Sequence, residues 1–281
     1  MKTRAGYGAA GGPGARELSR ESGVHFLMLE ARGLTKYYSA ITGVRDVCFT
    51  LTPGTVIGLL GPNGSGKSTT VGMITGLLEP SGGCVQLDGH DIRDDLAAYK
   101  ARLGYVPEEA QLYTWMSGDE YLRFCARLRG LPPATAARRI DTFLTIFGLQ
   151  TDRDAPMSAY SKGMRQKILL SAALLHDPSI VVLDEPCSGL DVGTTLVVRS
   201  LIRRLAASGR MIVYSSHELE MVERVCNEVL ILSDGRVAAH APTAALRERV
   251  NAASLEDAFR TLVITTDLES VAGELMTAIT H

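Results

Sequence analysis

A short apolar segment that runs directly into a glycine-rich turn is the feature that most limits what this chain can fold into. Residues 56–60 are apolar or glycine throughout, which is typical of a strand buried on both faces of a parallel sheet. Gly61, Gly64 and Gly66 follow at once, and a helix is predicted from there to about Leu78. The strand, the turn and the helix together predict an α/β fold with a parallel sheet.

The glycine-rich turn matches the phosphate-binding pattern G-x-x-x-x-G-K-S/T. Glycines allow successive backbone N–H groups to point inward at a phosphate, and the following helix adds the positive end of its dipole. Lys67 then brings a positive charge to the β- and γ-phosphates of a nucleotide, and Ser68 can ligate Mg²⁺. The predicted loop consists of Gly61, Pro62, Asn63, Gly64, Ser65, Gly66, Lys67, Ser68 and Thr69.

A second apolar strand, residues 180–184, ends in two carboxylates, Asp184 and Glu185. The carboxyl ends of parallel strands are where ligands collect in open α/β folds. Asp184 is therefore predicted to hold Mg²⁺ through its water shell, and Glu185 to polarise the attacking water in a phosphoryl transfer. Taken alone, the segment favours the simpler interpretation, which is solvated acids at the exit of a strand.

Composition and charge restrict the kinds of partner. The chain has 281 residues, of which 46% are hydrophobic and 21% are charged, as expected for a globular protein. Its formal net charge is −2, which gives no general polyanion-binding surface, so no nucleic-acid partner is expected. The longest apolar stretches, such as residues 168–175, are far shorter than the roughly 20 residues that span a bilayer.

Changes in composition along the chain predict its organisation. Residues 1–24 contain almost no large apolar side chains and are predicted to be a disordered leader. Residues 25–265 are predicted to form one α/β domain, within which about 112–175 form a helical insert. Ser117 and Glu120 are predicted to form a capping box in this insert. Residues 266–281 are predicted to be a loosely held C-terminal tail.

A third motif separates this chain from other proteins with the same phosphate loop. It is the stretch Tyr160-Ser161-Lys162-Gly163-Met164-Arg165-Gln166, shortly before the strand that ends in Asp184. On these motifs, residues 28–265 resemble the ATP-binding subunit of an ABC transporter. The sequence Lys-Gly-Met in the third motif resembles that of the exporter-like branch. The resemblance implies that this signature loop binds, through Ser161 and Gly163, the γ-phosphate held by a partner subunit.

Other residues acquire roles from the same resemblance. His217 matches the histidine that contacts the γ-phosphate, and Ser188–Asp191 looks like the dimer-contacting loop. Tyr38 matches the aromatic residue that stacks on adenine, with Tyr37 as the competing candidate and core packing as the alternative for both. Glu108 stands where the family commonly has glutamine, and its carboxylate can still coordinate Mg²⁺.

The resemblance implies a P-loop NTPase core with a parallel sheet, an antiparallel β edge and a helical subdomain that contains the signature motif. It also implies ATP hydrolysis, with ATP and Mg²⁺ as cofactors. The implied catalytic residues are Lys67, Glu185 and His217. The implied metal ligands are Ser68, Glu108 and Asp184.

The implied partners are an integral membrane permease and a second copy of this chain or a related ATPase subunit, which would form a head-to-tail dimer with ATP. The implied location is the cytoplasmic side of the cell membrane, at the permease. An alternative is a soluble ABC-type ATPase that acts on ribosomes or DNA. Such proteins typically carry two cassettes or a coiled-coil arm, whereas this sequence has one cassette, no heptads and no basic patch.

Trp115, the only tryptophan, lies beside Tyr113 and Met116. In the family this segment contacts the membrane subunit, and aromatic and methionine side chains are favoured at interfaces. The hypothesis is that Trp115 is partly exposed in the isolated chain and is buried by the partner. The alternative is that it packs in the core of the helical insert.

Overall fold

The computed structural model describes residues 27–39, 41–109, 112–249, 254–263 and 276–279. The predicted leader, residues 1–24, lies outside the described residues, as does the predicted tail apart from 276–279. None of the helices in these ranges is both long and apolar enough to cross a membrane.

The strands are, in chain order, β1 (Leu29–Tyr38), β2 (Ile41–Leu51), β3 (Val56–Leu60), β4 (Gly82–Leu87), β5 (His90–Asp91), β6 (Leu103–Val106), β7 (Ile180–Asp184), β8 (Met211–Ser215), β9 (Glu228–Ser233) and β10 (Arg236–Pro242). The helices are α1 (Lys67–Ile74), α2 (Leu96–Ala101), α3 (Gly118–Leu128), α4 (Pro133–Ile146), α5 (Lys162–Leu174), α6 (Val192–Ala207), α7 (Leu219–Val225), α8 (Thr243–Arg249) and α9 (Leu255–Val263). A 3₁₀ turn at Met157–Ala159 precedes α5.

The larger sheet has the strand order β10-β9-β3-β8-β7-β6. Strands β9, β3, β8, β7 and β6 are parallel, whereas β10 pairs antiparallel with β9 at the edge. Asp234 and Gly235 join β9 to β10, and both have the positive φ that a tight hairpin turn requires. The predicted parallel sheet with an antiparallel edge is therefore confirmed.

A second, antiparallel sheet with the order β2-β1-β4-β5 covers one face of the first. Side chains alternate along β2, since Val47, Phe49 and Leu51 are buried while Cys48 and Thr50 are exposed. The buried side chains of β2 join those of α1 and one face of the parallel strands in a single hydrophobic cluster.

Helices α3, α4 and α5 contribute to a hydrophobic cluster on the opposite face of the parallel sheet. Leu122, Ile140 and Ile168 from these helices belong to the same cluster as Val181 and Ile212 of the strands. The predicted capping box is present, since the Ser117 hydroxyl accepts from the N–H of Glu120 while the Glu120 carboxylate accepts from the N–H of Ser117.

The prediction that α1 runs to about Leu78 was wrong, because the helix ends at Ile74. Gly76 takes a left-handed backbone conformation, with φ of +65°. The N–H groups of Leu77 and Leu78 both donate to the carbonyl of Gly72, each at 2.9 Å, which turns the chain away from the helix axis.

His176 lies where α5 returns to the sheet. Its Nε2 is 3.0 Å from the Leu103 carbonyl oxygen, so Nε2 carries the proton and donates to that oxygen. Arg139 donates to the neighbouring Leu175 carbonyl at 2.7 Å. Burial lowers the pKa of His176 to about 4, and the charges of Arg129 and Arg139 act in the same direction, opposed by the bond to Leu103 and by Asp177.

We expect His176→Gln to flatten the acid dependence of the free energy of unfolding. The folded imidazole stays neutral until about pH 4, whereas in the unfolded chain it binds a proton near its ordinary pKa of about 6.5. Wild-type protein therefore loses stability as the pH falls through this window, by at most about 1.4 kcal/mol per pH unit. Glutamine does not titrate, and its amide can still donate to Leu103.

Urea unfolding of both proteins at several pH values measures this difference. Carboxylates that titrate in the same window contribute equally to both proteins and cancel in the comparison. Parallel stability curves for the two proteins between pH 6.5 and 4 would contradict the assignment.

Candidate functional site

The predicted phosphate loop lies between β3 and α1, as the sequence indicated. Gly66 precedes α1 with φ of +103°, and a Cβ there would lie 2.2 Å from Val44 Cγ1 and 2.8 Å from the Gly43 carbonyl oxygen. Only glycine fits this position, because the antiparallel sheet packs directly against the loop. The loop is thus held between two sheets rather than projecting freely into solvent.

The groups around the loop are suited to an anion. The first turn of α1 has no side-chain cap, so its backbone N–H groups remain available at the positive end of the helix. The Lys67 ammonium donates to the carbonyls of Gly61 at 2.7 Å and Pro62 at 3.1 Å, which holds the charge over the loop. The Ser65 hydroxyl is buried and has no hydrogen-bond partner within the described part of the chain.

Two carboxylates meet at the carboxyl end of β7, beside the phosphate loop. Asp184 ends the strand and is 5% exposed. Burial raises the pKa of its carboxyl group, and the negative charges of Glu108 and Glu185 raise it further, whereas the Ser215 hydroxyl and Lys67 lower it. Lys67 is therefore close enough to Asp184 for its positive charge to favour the ionised carboxylate.

Glu185 has an unusual backbone conformation for its residue type. Its φ is +48°, whereas four of the five other non-glycine residues with positive φ in the described ranges are Asp, which tolerates this region better. Its N–H donates to the Ser215 carbonyl at 2.9 Å, which fixes the turn out of β7. A strained backbone at a carboxylate beside a phosphate loop is a feature of functional sites.

The Glu185 carboxylate is oriented by the segment that follows β8. Oε1 accepts from the backbone N–H of His217 and from His217 Nδ1, both at 2.8 Å. The Ser216 hydroxyl oxygen accepts from the Glu218 N–H, and its own hydrogen is donated to Oε2 at 3.2 Å. The His217 side chain is 77% exposed, so its other ring nitrogen can reach a ligand.

Glu108 follows β6, the neighbour of β7 in the sheet. Because Val106 pairs with Leu183, Glu108 leaves the sheet at the same edge as Asp184. The charges of Asp184 and Glu108 add to burial in raising the pKa of Tyr105 to about 12. No group of three or more His, Cys, Asp or Glu side chains that could hold a metal ion by itself occurs among the residues that the structure describes.

Tyr38 and Tyr37 lie at the end of β1 and are 45% and 48% exposed, so the alternative that they are core residues is wrong. The Tyr38 hydroxyl lies 3.4 Å from the hydroxyl of Thr69, the last residue of the phosphate loop. The Lys36 ammonium lies 5.9 Å from the centroid of the Tyr38 ring. Of the two tyrosines, Tyr38 is the one that this contact joins to the phosphate loop.

The signature loop belongs to a different part of the site. Ser161 is the N-cap of α5, where its hydroxyl accepts from the Met164 N–H, and its side chain is exposed. Gly163 packs against the Gly189 carbonyl, to which a Cβ would come within 2.5 Å. The described contacts of Ser161 and Gly163 are with α5 and the loop after β7, and none of them is with the phosphate loop.

Sequence reasoning identified the carboxylates and the loops, but it missed the polar residues that connect them. Ser216 orients Glu185, and Gln166 donates to the Pro186 carbonyl at 3.0 Å from a buried position. The serine directly before His217 was visible in the sequence, but nothing in the sequence indicates which side chain it would meet. Cys187 is buried, and burial raises the pKa of its thiol to about 11.

Comparison with known proteins agrees with this geometry. A family model described as "ABC transporter" matches residues 44–188. The chain is 38% identical to the ABC transporter ATP-binding protein NatA of Bacillus subtilis, over 70% of this chain and 80% of that protein. It is 34% identical to the linearmycin resistance ATP-binding protein LnrL of Bacillus subtilis, over 75% and 68%, and 36% identical to the Nod factor export ATP-binding protein I of Ralstonia nicotianae, over 74% and 65%.

Among solved structures, an ATP-binding subunit of an ABC transporter superposes with a TM-score of 0.79 and 33% identity, covering 84% of this chain and 99% of that one. A dimeric ATP-binding cassette bound to ADP and phosphate has the same fold, with a TM-score of 0.71 and 22% identity. The chain therefore belongs to the ABC transporter family, as an ATP-binding subunit that hydrolyses ATP.

Proposed function

We propose that the loop of residues 61–69 holds the phosphates of ATP and that Glu185 is the general base that activates the attacking water. The observation that carries this assignment is the Glu185 carboxylate, which three hydrogen bonds orient at the end of β7, next to Asp184. Lys67 binds the β- and γ-phosphates, and His217 contacts the γ-phosphate through its exposed ring nitrogen. Tyr38 stacks on the adenine.

The residues at this edge also fit Mg²⁺. Its ligands are proposed to be the Ser68 hydroxyl and the carboxylates of Asp184 and Glu108, since hard cations prefer oxygen donors. Burial and the neighbouring carboxylates raise the pKa of Asp184, and a cation bound there would favour its ionised form. When bound, Mg²⁺ neutralises charge that develops on the β- and γ-phosphates.

We expect Glu185→Gln to abolish hydrolysis while leaving ATP affinity unchanged. Glutamine has the same shape and its amide oxygen can still accept from His217, but it cannot take a proton from water. The loss of a general base costs roughly 10²–10⁴ in rate. Phosphate release and equilibrium binding of ATP measure the two quantities, and hydrolysis within tenfold of wild type would contradict the assignment.

Two further variants serve as comparisons for Glu185→Gln. Lys67→Ala removes the positive charge that contacts the phosphates, so it should weaken ATP binding by roughly 10- to 100-fold. Glu256→Gln removes an exposed carboxylate from α9, a helix that carries none of the site residues, so it should alter neither quantity.

Hydrolysis is proposed to require a head-to-tail dimer with a second copy or a related subunit. Ser161 and Gly163 offer the N-terminus of α5 to an anion, yet their described contacts do not involve the phosphate loop of the same chain. Each signature loop would then bind the γ-phosphate on the partner's phosphate loop. The dimeric cassette with the same fold supports this arrangement.

We expect Glu185→Gln protein to dimerise with ATP and Mg²⁺ and to stay monomeric with ADP, because only the γ-phosphate contacts both subunits. Adding Ser161→Arg should abolish the dimer by steric block without changing ATP binding to the phosphate loop. Ser200→Arg, on the exposed face of α6, is the matched control. Light scattering with each nucleotide decides the matter, and an ATP dimer indifferent to Ser161→Arg would overturn the proposal.

A membrane permease is the proposed partner for an aromatic patch, defined as the exposed Tyr113 and Trp115 together with the half-buried Tyr121 and Phe124. Trp115 is 76% exposed, and the Tyr113 ring lies 6.0–6.4 Å from the other three rings. The exposure agrees with the hypothesis for Trp115 and excludes core packing. The backbone on either side of Trp115 is bonded to the segment that leads to Ser161, because the N–H of Met157 donates to the Met116 carbonyl and that of Ser158 to the Thr114 carbonyl.

The permease would hold this subunit at the cytoplasmic face of the membrane. The proposed organisation is an ATP-binding domain over residues 25–265, with a helical subdomain over about 112–175. Export is the proposed direction of transport, and the name of the Nod factor export relative supports it.

Trp115 provides a direct optical test of this surface, since it is the only tryptophan. We expect its emission to be red-shifted and readily quenched by acrylamide in the isolated chain, and protected once the co-expressed permease is bound. Trp115→Ala should weaken that association without changing the ATPase rate of the isolated chain. Val197→Ala, an exposed apolar residue on α6 and outside the helical subdomain, is the control. Unchanged quenching on binding would count against the proposal.

A further inference from the structure

The segment that follows Glu185, residues 186–191, is attached to the first turn of α5 by a lysine side chain. The Lys162 ammonium donates to the Ser188 hydroxyl at 2.7 Å. The aliphatic part of the same side chain lies against Gly189, where a Cβ would come within 3.1 Å of Lys162 Cγ and Cδ. Lys162 thus reaches across from the signature loop and covers the 186–191 segment.

Two further contacts keep α5 and the 186–191 segment in register. The buried amide of Gln166 donates to the Pro186 carbonyl at 3.0 Å. Lys167 Nζ lies 3.7 Å from a carboxylate oxygen of Asp191. These two contacts hold the ends of the segment, whereas Lys162 acts on its middle.

Only two hydrogen bonds separate Lys162 from the backbone of Glu185. Ser188, which receives the bond from Lys162, donates its own N–H to the Glu185 carbonyl at 3.1 Å. Glu185 has the strained φ of +48°, so its backbone keeps that conformation only because neighbouring contacts hold it. A small movement of Ser188 therefore alters the Glu185 backbone. The carboxylate depends on that backbone for its direction.

We propose that Lys162 is a positioning residue for hydrolysis, which acts through Ser188 to hold Glu185 in its active orientation. The proposal rests on the proposed role of Glu185 as the general base. It also gives the signature loop an influence on the base of its own chain, because Lys162 stands between Ser161 and Gly163.

A purely structural role predicts something different. Lys162 is exposed, and a hydrogen bond on the surface contributes little to the free energy of unfolding. A positioning role predicts a lower turnover number at unchanged stability, since misdirecting a catalytic group by a fraction of an ångström slows the chemical step. The two roles are therefore separated by comparing kcat with the melting temperature.

The experiment uses the full chain and a double-mutant cycle. Lys162→Met keeps the aliphatic packing on Gly189 and removes the ammonium, and Ser188→Ala removes its acceptor. We expect each variant to lower kcat roughly three- to tenfold, and the double variant to be no slower than either single one. Nucleotide affinity, measured with ADP, and the melting temperature should stay as in wild type. Lys162→Arg, which can still donate to Ser188, should recover most of the rate.

Arg138→Met is the matched control, because it removes an exposed cation from α4, away from the 186–191 segment. Wild-type kcat in Lys162→Met, or additive losses in the double variant, would overturn the proposal. A raised KM or a weakened ATP dimer in Lys162→Met, with Ser188→Ala unaffected, would also overturn it, because Lys162 would then contact the partner's nucleotide directly. Failure of the underlying assignment is distinguishable, since it would appear as retained hydrolysis in Glu185→Gln.

Discussion

The burial of the central parallel strands on both faces is the constraint on which the rest of the molecule depends. Successive side chains of β3 alternate between two cores, with Val56 and Leu60 facing the helical side and Ile57 and Leu59 facing the antiparallel sheet. Helices and a second sheet must therefore cover both faces. The carboxyl edge of the strands stays open, so the loops that carry charge and glycine converge there.

That open edge collects charges that would be unfavourable inside either hydrophobic core. Asp184, Glu185 and Glu108 leave adjacent strand ends, and Lys67 is the cation that acts among them. Burial disfavours the charged form of an acid unless an opposite charge compensates it. In the proposed function Mg²⁺ and ATP bind together. The positive charge of Mg²⁺ then offsets the negative charges of the phosphates and of the carboxylates at this edge.

Local patterns in the sequence predicted much of this arrangement. The apolar run before Gly61 and the capping box at Ser117 each depend on residues close together in the chain. Pattern alone did not indicate the end of α1 at Ile74, because the glycine two residues later and two bonds to a single carbonyl decide it.

The connections within the site were beyond the reach of sequence reasoning for a different reason. Ser216 lies 31 positions from Glu185, and Lys162 lies 26 positions from Ser188, so their contacts exist only once the strands are ordered in the sheet. The positive φ of Glu185 was equally invisible, since glutamate rarely takes that conformation and no local pattern signals it.

The backbone conformation of Glu185 has a consequence for how this protein can change. A non-glycine residue in the left-handed region carries a strain on the order of 1–3 kcal/mol, which the surrounding contacts must overcome. Glycine at that position would relieve the strain, and it would also remove a carboxylate whose burial costs desolvation energy. Selection for stability alone would therefore favour the loss of this carboxylate, and its presence marks a position where activity and stability pull in opposite directions.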